Sequence, residues 1–367
     1  MDVTQQPSRS DPKSLAEAIS WLLEQAGAAA DIAGEVASAL VDAEMLGHSS
    51  HGVRLCAIYV ERLRSGLIDG RARPSRDLAI GPVIRIQSNR AFGQIVGAFA
   101  VAQGVAAAKS FGIAATQIVG SGHMGRNGRW PELAAAGGVA SLHFINFPTG
   151  ASSVTPYGGA EARLTNNPIA MGAPHPDGGH VIADFALGEF SVNGIMLAAE
   201  NGQRMPSKGI VAADGSLTDD PRAFLESSSR AMLGFGGYKG FALGVFAEIF
   251  AGALSGGGVH DREGGSDALN NMFSIYCDVA SLTSAEQYGE QIRSLIRWIE
   301  SGRPRDPAAP VVAPGGRGRS LRRKILEDGI TLQAGGVAAL VRAAATLNAL
   351  PIASQRWPLL FRQASVA

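Results

Sequence analysis

The feature that most constrains the fold is an alternation in the middle of the chain. Residues 112–119 (GIAATQIV) are a short apolar run of strand type, and residues 120–128 are a glycine-rich loop. A helical pattern follows over 130–136, then a second apolar run over 139–147. Strand, loop, helix and strand in close succession commit the chain to a layered α/β architecture. Further strand-like pieces lie at 82–88, 169–173, 180–185 and 272–279, while 199–221 is broken by turns. Helical periodicity marks 14–27, with Leu15, Ile19, Leu22 and Leu23 on one face, and recurs at 31–46, 53–65 and 91–110. It returns at 241–254, 285–300, 320–327 and 336–349, after a proline-rich linker at 303–314.

Glycine makes up 47 of 367 residues, against an average near 7%. There is no collagen-like period, so these glycines belong to turns or to backbone that approaches a ligand closely. Lysine plus arginine number 32, as do aspartate plus glutamate. A zero net charge removes the electrostatic case for a nucleic-acid binder and gives no support for an anionic membrane surface. The two cysteines, Cys56 and Cys277, form no disulfide framework and no metal-ligand spacing. The first 13 residues are polar and lack the apolar stretch of a signal peptide, and no apolar run approaches the ~18 residues of a membrane helix. The expectation is a soluble cytoplasmic protein.

Chemistry concentrates in a few places. Gly120–Gly125 (GSGHMG) satisfies the G-x-G-x-x-G pattern, but the acid expected about 20 residues later is absent, the next being Glu161. An ordinary Rossmann site is therefore not expected. His123 inside that loop, and His51 in Ser49-Ser50-His51-Gly52, are acid/base candidates because imidazole titrates near neutrality. A structural histidine, or a helix cap from Ser50, is the alternative at each. Arg54 and Tyr59 follow His51 by about one and two helical turns and suit a substrate carboxylate, a solvated arginine and a core tyrosine being equally compatible. Lys239 in GGYKG opens an apolar helix and suits an anion, though the Walker ending is missing. The basic run from Arg303 to Lys324 lacks aromatic interleaving, which favours a solvated face or a cofactor-phosphate site over nucleic acid.

In this order and spacing the motifs resemble one family. GHSSHGVRLCAIYVERLRSGLI, RAFGQ, GIAATQIVGSGHMGRNGRW, VTPYGG, NNPIA, ADFA, DGSLTDDP, GGYKGFAL, GALSGG and APGG together span most of the chain. They are similar to the malate/L-lactate dehydrogenase family of non-Rossmann, NAD(P)-dependent 2-hydroxyacid oxidoreductases, and most of all to its bacterial hydroxycarboxylate dehydrogenase branch. The resemblance implies an α/β mixed-sheet core with a helical portion built from both chain ends. After a disordered tail read from the polar residues 1–13, it divides the chain into an N-terminal helical portion (14–75), a cofactor- and substrate-binding core (76–284) and a C-terminal helical portion (285–367) that packs with the N-terminal one. It also implies a homodimer acting on a small carboxylate substrate with NAD or NADP, without metal.

By the same resemblance, His123 is the acid/base and His51 touches both nicotinamide and substrate. Ser50, Arg54 and Tyr59 would bind substrate. Gly125, Arg126, Asn127, Ile182, Ala183, Asp184, Phe185, Ala186, Lys239, Asn270, Pro314, Gly315, Gly316 and Arg317 would line the cofactor. Several positions depart from the family pattern. Asn-Ser-x-His is Gly120-Ser121-Gly122-His123, Gly-Thr-Asn-Pro is Thr165-Asn166-Asn167-Pro168, and Asp-x-Ala-Thr-Ser ends in Leu187-Gly188. A Gly-Lys pair is replaced by Asn193-Gly194, and the family's arginine falls at Leu55, with Arg54 one residue early. Arg317, where the family often has an acid, would favour the 2′-phosphate of NADP. A reductase of cyclic imino acids and a binding protein that has lost turnover are the alternative readings.

Overall fold

The computed structural model describes residues 9–227, 230–261 and 269–361. Helices α1 (Pro12–Gln25), α2 (Ala30–Met45) and α3 (Leu55–Arg64) lead into the central region, which holds α4 (Gly93–Phe111), α5 (Arg129–Ala136), α6 (Val192–Glu200) and α7 (Tyr238–Ala247). Helices α8 (Ala285–Glu300), α9 (Gly316–Asp328) and α10 (Ala334–Thr346) follow. The centre is a seven-stranded sheet of β1 (Ser75–Ile80), β2 (Val83–Gln87), β3 (Ile113–Ser121), β4 (Val139–Asn146), β5 (Pro168–Ala173), β6 (Val181–Ala186) and β7 (Asn270–Asp278). Across the sheet the order is β1-β2-β3-β7-β4-β5-β6. The β2–β3 pair, joined through α4, is parallel, and the other five pairings are antiparallel. A dinucleotide-binding Rossmann sheet is parallel, so this mixed sheet rules that fold out.

Both ends of the chain build one core. Asp11 caps α1, its carboxylate accepting from Ser14 N at 2.9 Å, and Pro12 opens the first turn. Leu15, Ile19, Leu22 and Leu23 then face Leu40, Tyr59, Leu340, Ala343 and Phe361, all fully buried or nearly so. A second core lies under the sheet, where α4 packs on β3 and β7. Gly97 is required there, because a Cβ would fall 2.5 Å from the buried Trp130 ring.

Several elements differ from the sequence reading. Residues 9–13 are not tail: Arg9 and Ser10 pair antiparallel with Thr331 and Ile330, and Pro12 starts a helix. The remainder of the expected tail, residues 1–8, lies outside the described residues. Strand β1 went unread because all its residues are exposed, leaving no alternation to detect. Helix α6 and a short helix at Pro221–Glu226 were masked by neighbouring turn residues. The helix expected at 241–254 begins at Tyr238 and widens into a π-helix over Glu248–Leu254. Helix α8, grouped in sequence with the C-terminal helices, reaches the β5–β6 hairpin instead. Tyr288 Oη donates to Pro174 O at 3.0 Å, and Arg293 forks onto Asp177.

His143, on β4, is fully buried between Ser274 Oγ at 2.8 Å and Ser141 Oγ at 2.9 Å, and burial pushes its pKa down to about 3. The unfolded chain therefore binds a proton that the folded chain refuses. This stability is complete above the ordinary value of 6.5 and is lost as pH falls towards about 3. Urea denaturation should show the acid limb of wild type steeper than that of His143→Gln by about 1.4 kcal/mol per pH unit. Equal slopes would contradict this.

Candidate active site

Two loops meet at the site. The first, between α2 and α3, is a single 3-10 turn over Ser49–His51. It is pinned by the buried Glu44, whose Oε1 accepts from Val53 N at 3.0 Å, and Gly52 packs where a Cβ would meet that carboxylate at 2.4 Å. The second runs from the end of β3 to α5. Met124 N donates to Asn270 Oδ1 at 3.1 Å, and Gly128 N donates to Asp184 Oδ2 at 2.7 Å. Gly93, at the start of α4, is the fulcrum: a Cβ there would lie 2.3 Å from the His123 carbonyl oxygen.

These constraints bring His51 and His123 together, their rings stacked at 5.6 Å between centroids and 15° between planes. His51 Nδ1 lies 2.8 Å from Ser50 Oγ. His123 Nδ1 lies 3.0 Å from Tyr59 Oη, and Gln94 Nε2 donates to that same oxygen at 2.7 Å. Burial, His51 and Arg62 push the His123 pKa down to about 3. Burial also lowers His51 and raises Tyr59 above the usual phenol range. Both imidazoles are therefore neutral at neutral pH.

The pair forms part of the wall of a cavity of about 640 Å³. Ser50, Gly125, Asn127, Asp184, Phe185, Ala186 and Asn270 are also in its wall. Ile182 and Ala183 continue along β6 towards a second cleft of about 350 Å³, whose wall includes Val181, Ala313 and Arg319. Ile182 N donates to Pro314 O at 3.3 Å, tying β6 to the start of α9. There Gly315 takes φ +85°, and no side chain caps the first-turn amides that Gly316 and Arg317 open. An extended cofactor with an anionic centre fits such a run, because uncapped helix amides favour negative charge. Among the described residues no cluster of His, Cys, Asp or Glu suits a metal ion, and no helix is long and apolar enough to cross a membrane.

Five expected site residues sit elsewhere. Tyr59, expected to bind substrate, is fully buried behind His123 and outside the cavity wall, because the core of the chain ends packs around its ring and leaves its hydroxyl to the imidazole. Arg54 packs over Gly335 of α10, where a Cβ would meet its guanidinium at 2.5 Å, because its place just before α3 turns it towards the C-terminal helices. Lys239 is exposed on the first turn of α7, outside the cavity wall. Arg317 points to solvent, and Arg319, one half-turn on, takes the inward place, donating to His180 O at 2.6 Å. Arg126 is consumed by ion pairs to Glu132 and, at 3.3 Å, to Asp42, which also holds Arg322 at 2.9 Å.

The sequence assigns no site role to His48, Gln94, Asn166 or Asn193, the last two standing out there only as departures from the family pattern. His48, Asn166 and Asn193 are in the cavity wall, and Gln94 stands behind it. His48 had a signal, lying in the same GHSSHG segment as His51. At the departing position, Leu187 is buried in the core, and Gly188 N instead donates to Asn166 Oδ1 at 2.7 Å. Arg126→Met should cost about 2 kcal/mol in chemical denaturation, the scale of a lost charge-assisted hydrogen bond, because Asp42 keeps Arg322. A loss below about 0.5 kcal/mol, typical of a surface change, would show that the clamp is not needed.

The malate/L-lactate dehydrogenase family matches residues 11–341. Hydroxycarboxylate dehydrogenase B of Escherichia coli K12 is 30% identical over 339 residues, covering 92% of this chain and 93% of that protein. A Pseudomonas putida Δ1-pyrroline-2-carboxylate/Δ1-piperideine-2-carboxylate reductase is 36% identical over 248 residues, covering 67% of this chain and 70% of that one. A solved E. coli structure described as a malate/lactate dehydrogenase superposes with a TM-score of 0.88 at 29% identity, covering 95% of this chain and 99% of that chain. Mixed sheet, helical ends and matched sequence agree: the chain belongs to the malate/L-lactate dehydrogenase family.

Proposed function

We propose that the protein is an NAD(P)-dependent oxidoreductase interconverting small 2-hydroxy and 2-oxo carboxylic acids in the cavity walled by His51 and His123. The observation that carries this reading is the stacked, neutral histidine pair, each ring held through Nδ1 by a hydroxyl, Ser50 Oγ for His51 and Tyr59 Oη for His123. Oxidising a secondary alcohol removes a hydride and a proton, and bound NAD(P) supplies the hydride acceptor, or the donor in reverse. The protein must handle the proton, and imidazoles beside the reacting oxygen do so.

Gly125, Asn127 and Asp184–Ala186 would hold the nicotinamide end, and Ile182, Ala183 and Pro314–Gly316 the far end. Among the described residues no arginine or lysine lines the cavity, so the carboxylate is met by neutral donors, with His48 and Asn193 in place. The exposed Phe246, Ile249 and Leu254 along α7 and its π-helical extension support a homodimer.

The similarity to a cyclic imino-acid reductase supports a second substrate class for the same cavity. Reduction of a panel of 2-oxo acids and cyclic imino acids by NADH and NADPH, followed by nicotinamide absorbance, separates the two. Turnover is expected with 2-oxo acids, and His51→Ala and His123→Ala should each lower kcat by roughly 10². A nicotinamide cofactor at 100 times its Kd should stabilise the protein by about 2.7 kcal/mol. Imino-acid turnover alone would replace the substrate assignment. No turnover and no stabilisation by either cofactor would overturn the reading.

A further inference from the structure

The hydrogen bonds behind His123 have a direction, which a long backbone contact indicates and the shorter side-chain bonds must sustain. Gly125 N, which can only donate, points at His123 Nδ1 from 3.3 Å. Nδ1 therefore carries a lone pair and not a hydrogen. Tyr59 Oη, 3.0 Å from the same nitrogen, must then donate to it. Its oxygen is left to accept, which requires residue 94 to present a donor, and Gln94 Nε2 does so at 2.7 Å. Gln94 is 1% exposed, and its Oε1 has no hydrogen-bond partner. An amide that used its oxygen on Tyr59 would lose the donor, so the unpaired Oε1 is the cost of this polarity.

We infer that Gln94 is a positioning residue for His123: through Tyr59 it holds the ring as the neutral tautomer protonated on Nε2, with that N–H available to the cavity. His123 then meets substrate as a hydrogen-bond donor to the oxygen on C2, and proton uptake is left to His51. This rests on the proposed reaction occurring in this cavity. The titratable and charged groups bearing on His123 are His51, stacked on it, and Tyr59 and Arg62 from α3. His51 and Arg62 both oppose a cation on the ring.

Nitrogen NMR of histidine-labelled protein reads the tautomer directly, with His123 assigned by its loss in His123→Asn. Wild type should show His123 protonated on Nε2 and not titrating through the neutral range. Gln94→Glu, read at alkaline pH where its buried carboxyl is ionised, replaces the donor by an acceptor of the same shape. The Tyr59 proton should turn to residue 94, His123 should gain a proton on Nδ1, and kcat should fall about tenfold, the scale of one hydrogen bond, with KM little changed. Gln94→Met, which keeps the volume and removes both polar atoms, serves if the glutamate variant does not fold, and should give mixed tautomers. A wild-type His123 protonated on Nδ1, or titrating near its ordinary value, would overturn the inference. So would a tautomer unchanged in whichever variants fold. The NMR result does not require turnover. The expected tautomer without reduction of any acid would sink the proposed function and leave this assignment standing.

Discussion

The structure depends on one bridge, the 3.0 Å hydrogen bond from Tyr59 to His123. Tyr59 belongs to the helical core made by both chain ends, and His123 to the loop that leaves the sheet. Tyr59 is fully buried, with its ring edge-on to Phe92 at 5.5 Å. Its hydroxyl is thus delivered by a packed ring with no freedom to relocate. Any loosening of the core from α1, α3 and α10 would reach the site through this side chain. That coupling explains how residues so far apart in sequence come to bear on one cavity.

The sheet side is held as firmly, by amides instead of packing. Glu248, at the start of the π-helical turn, accepts from Asn146 Nδ2 at 2.8 Å, from Asn167 Nδ2 and from His260 N at 2.9 Å. Asn146 Oδ1 accepts from Asn271 Nδ2 at 3.0 Å, and Asn271 Oδ1 accepts from Gly120 N at 2.9 Å. A buried carboxyl group thus orients side chains at the ends of β4, β5 and β7 and, through Asn271, the backbone near the end of β3. Fully satisfied buried networks of this kind rigidify their surroundings. The His123 loop is fixed from below by these amides and from above by Arg126 and Asp42.

Much of this was legible in the sequence. The 112–147 alternation produced β3, α5 and β4, and the matched motifs led to His51, His123 and the β6 residues that line the cavity. Strand β1 was invisible because an exposed edge leaves no burial pattern. Arg54 illustrates a different limit. On a helix a one-residue shift turns a side chain by about 100°, and that rotation sends its guanidinium over Gly335 instead of into the cavity. Gln94 closes the matched RAFGQ segment, but its contact with Tyr59 is not revealed by spacing along the chain. Hydrogen-bond polarity needs coordinates.

The most direct test of the proposed chemistry follows the hydride itself. Reduced cofactor carrying deuterium in both positions of nicotinamide C4 is incubated with a 2-oxo acid that turns over, and the product is analysed by mass spectrometry and proton NMR. Direct transfer in the histidine-walled cavity predicts deuterium bound to C2 of the 2-hydroxy acid, together with a hydroxyl proton drawn from water. A product formed without deuterium at C2 would contradict hydride transfer at this site.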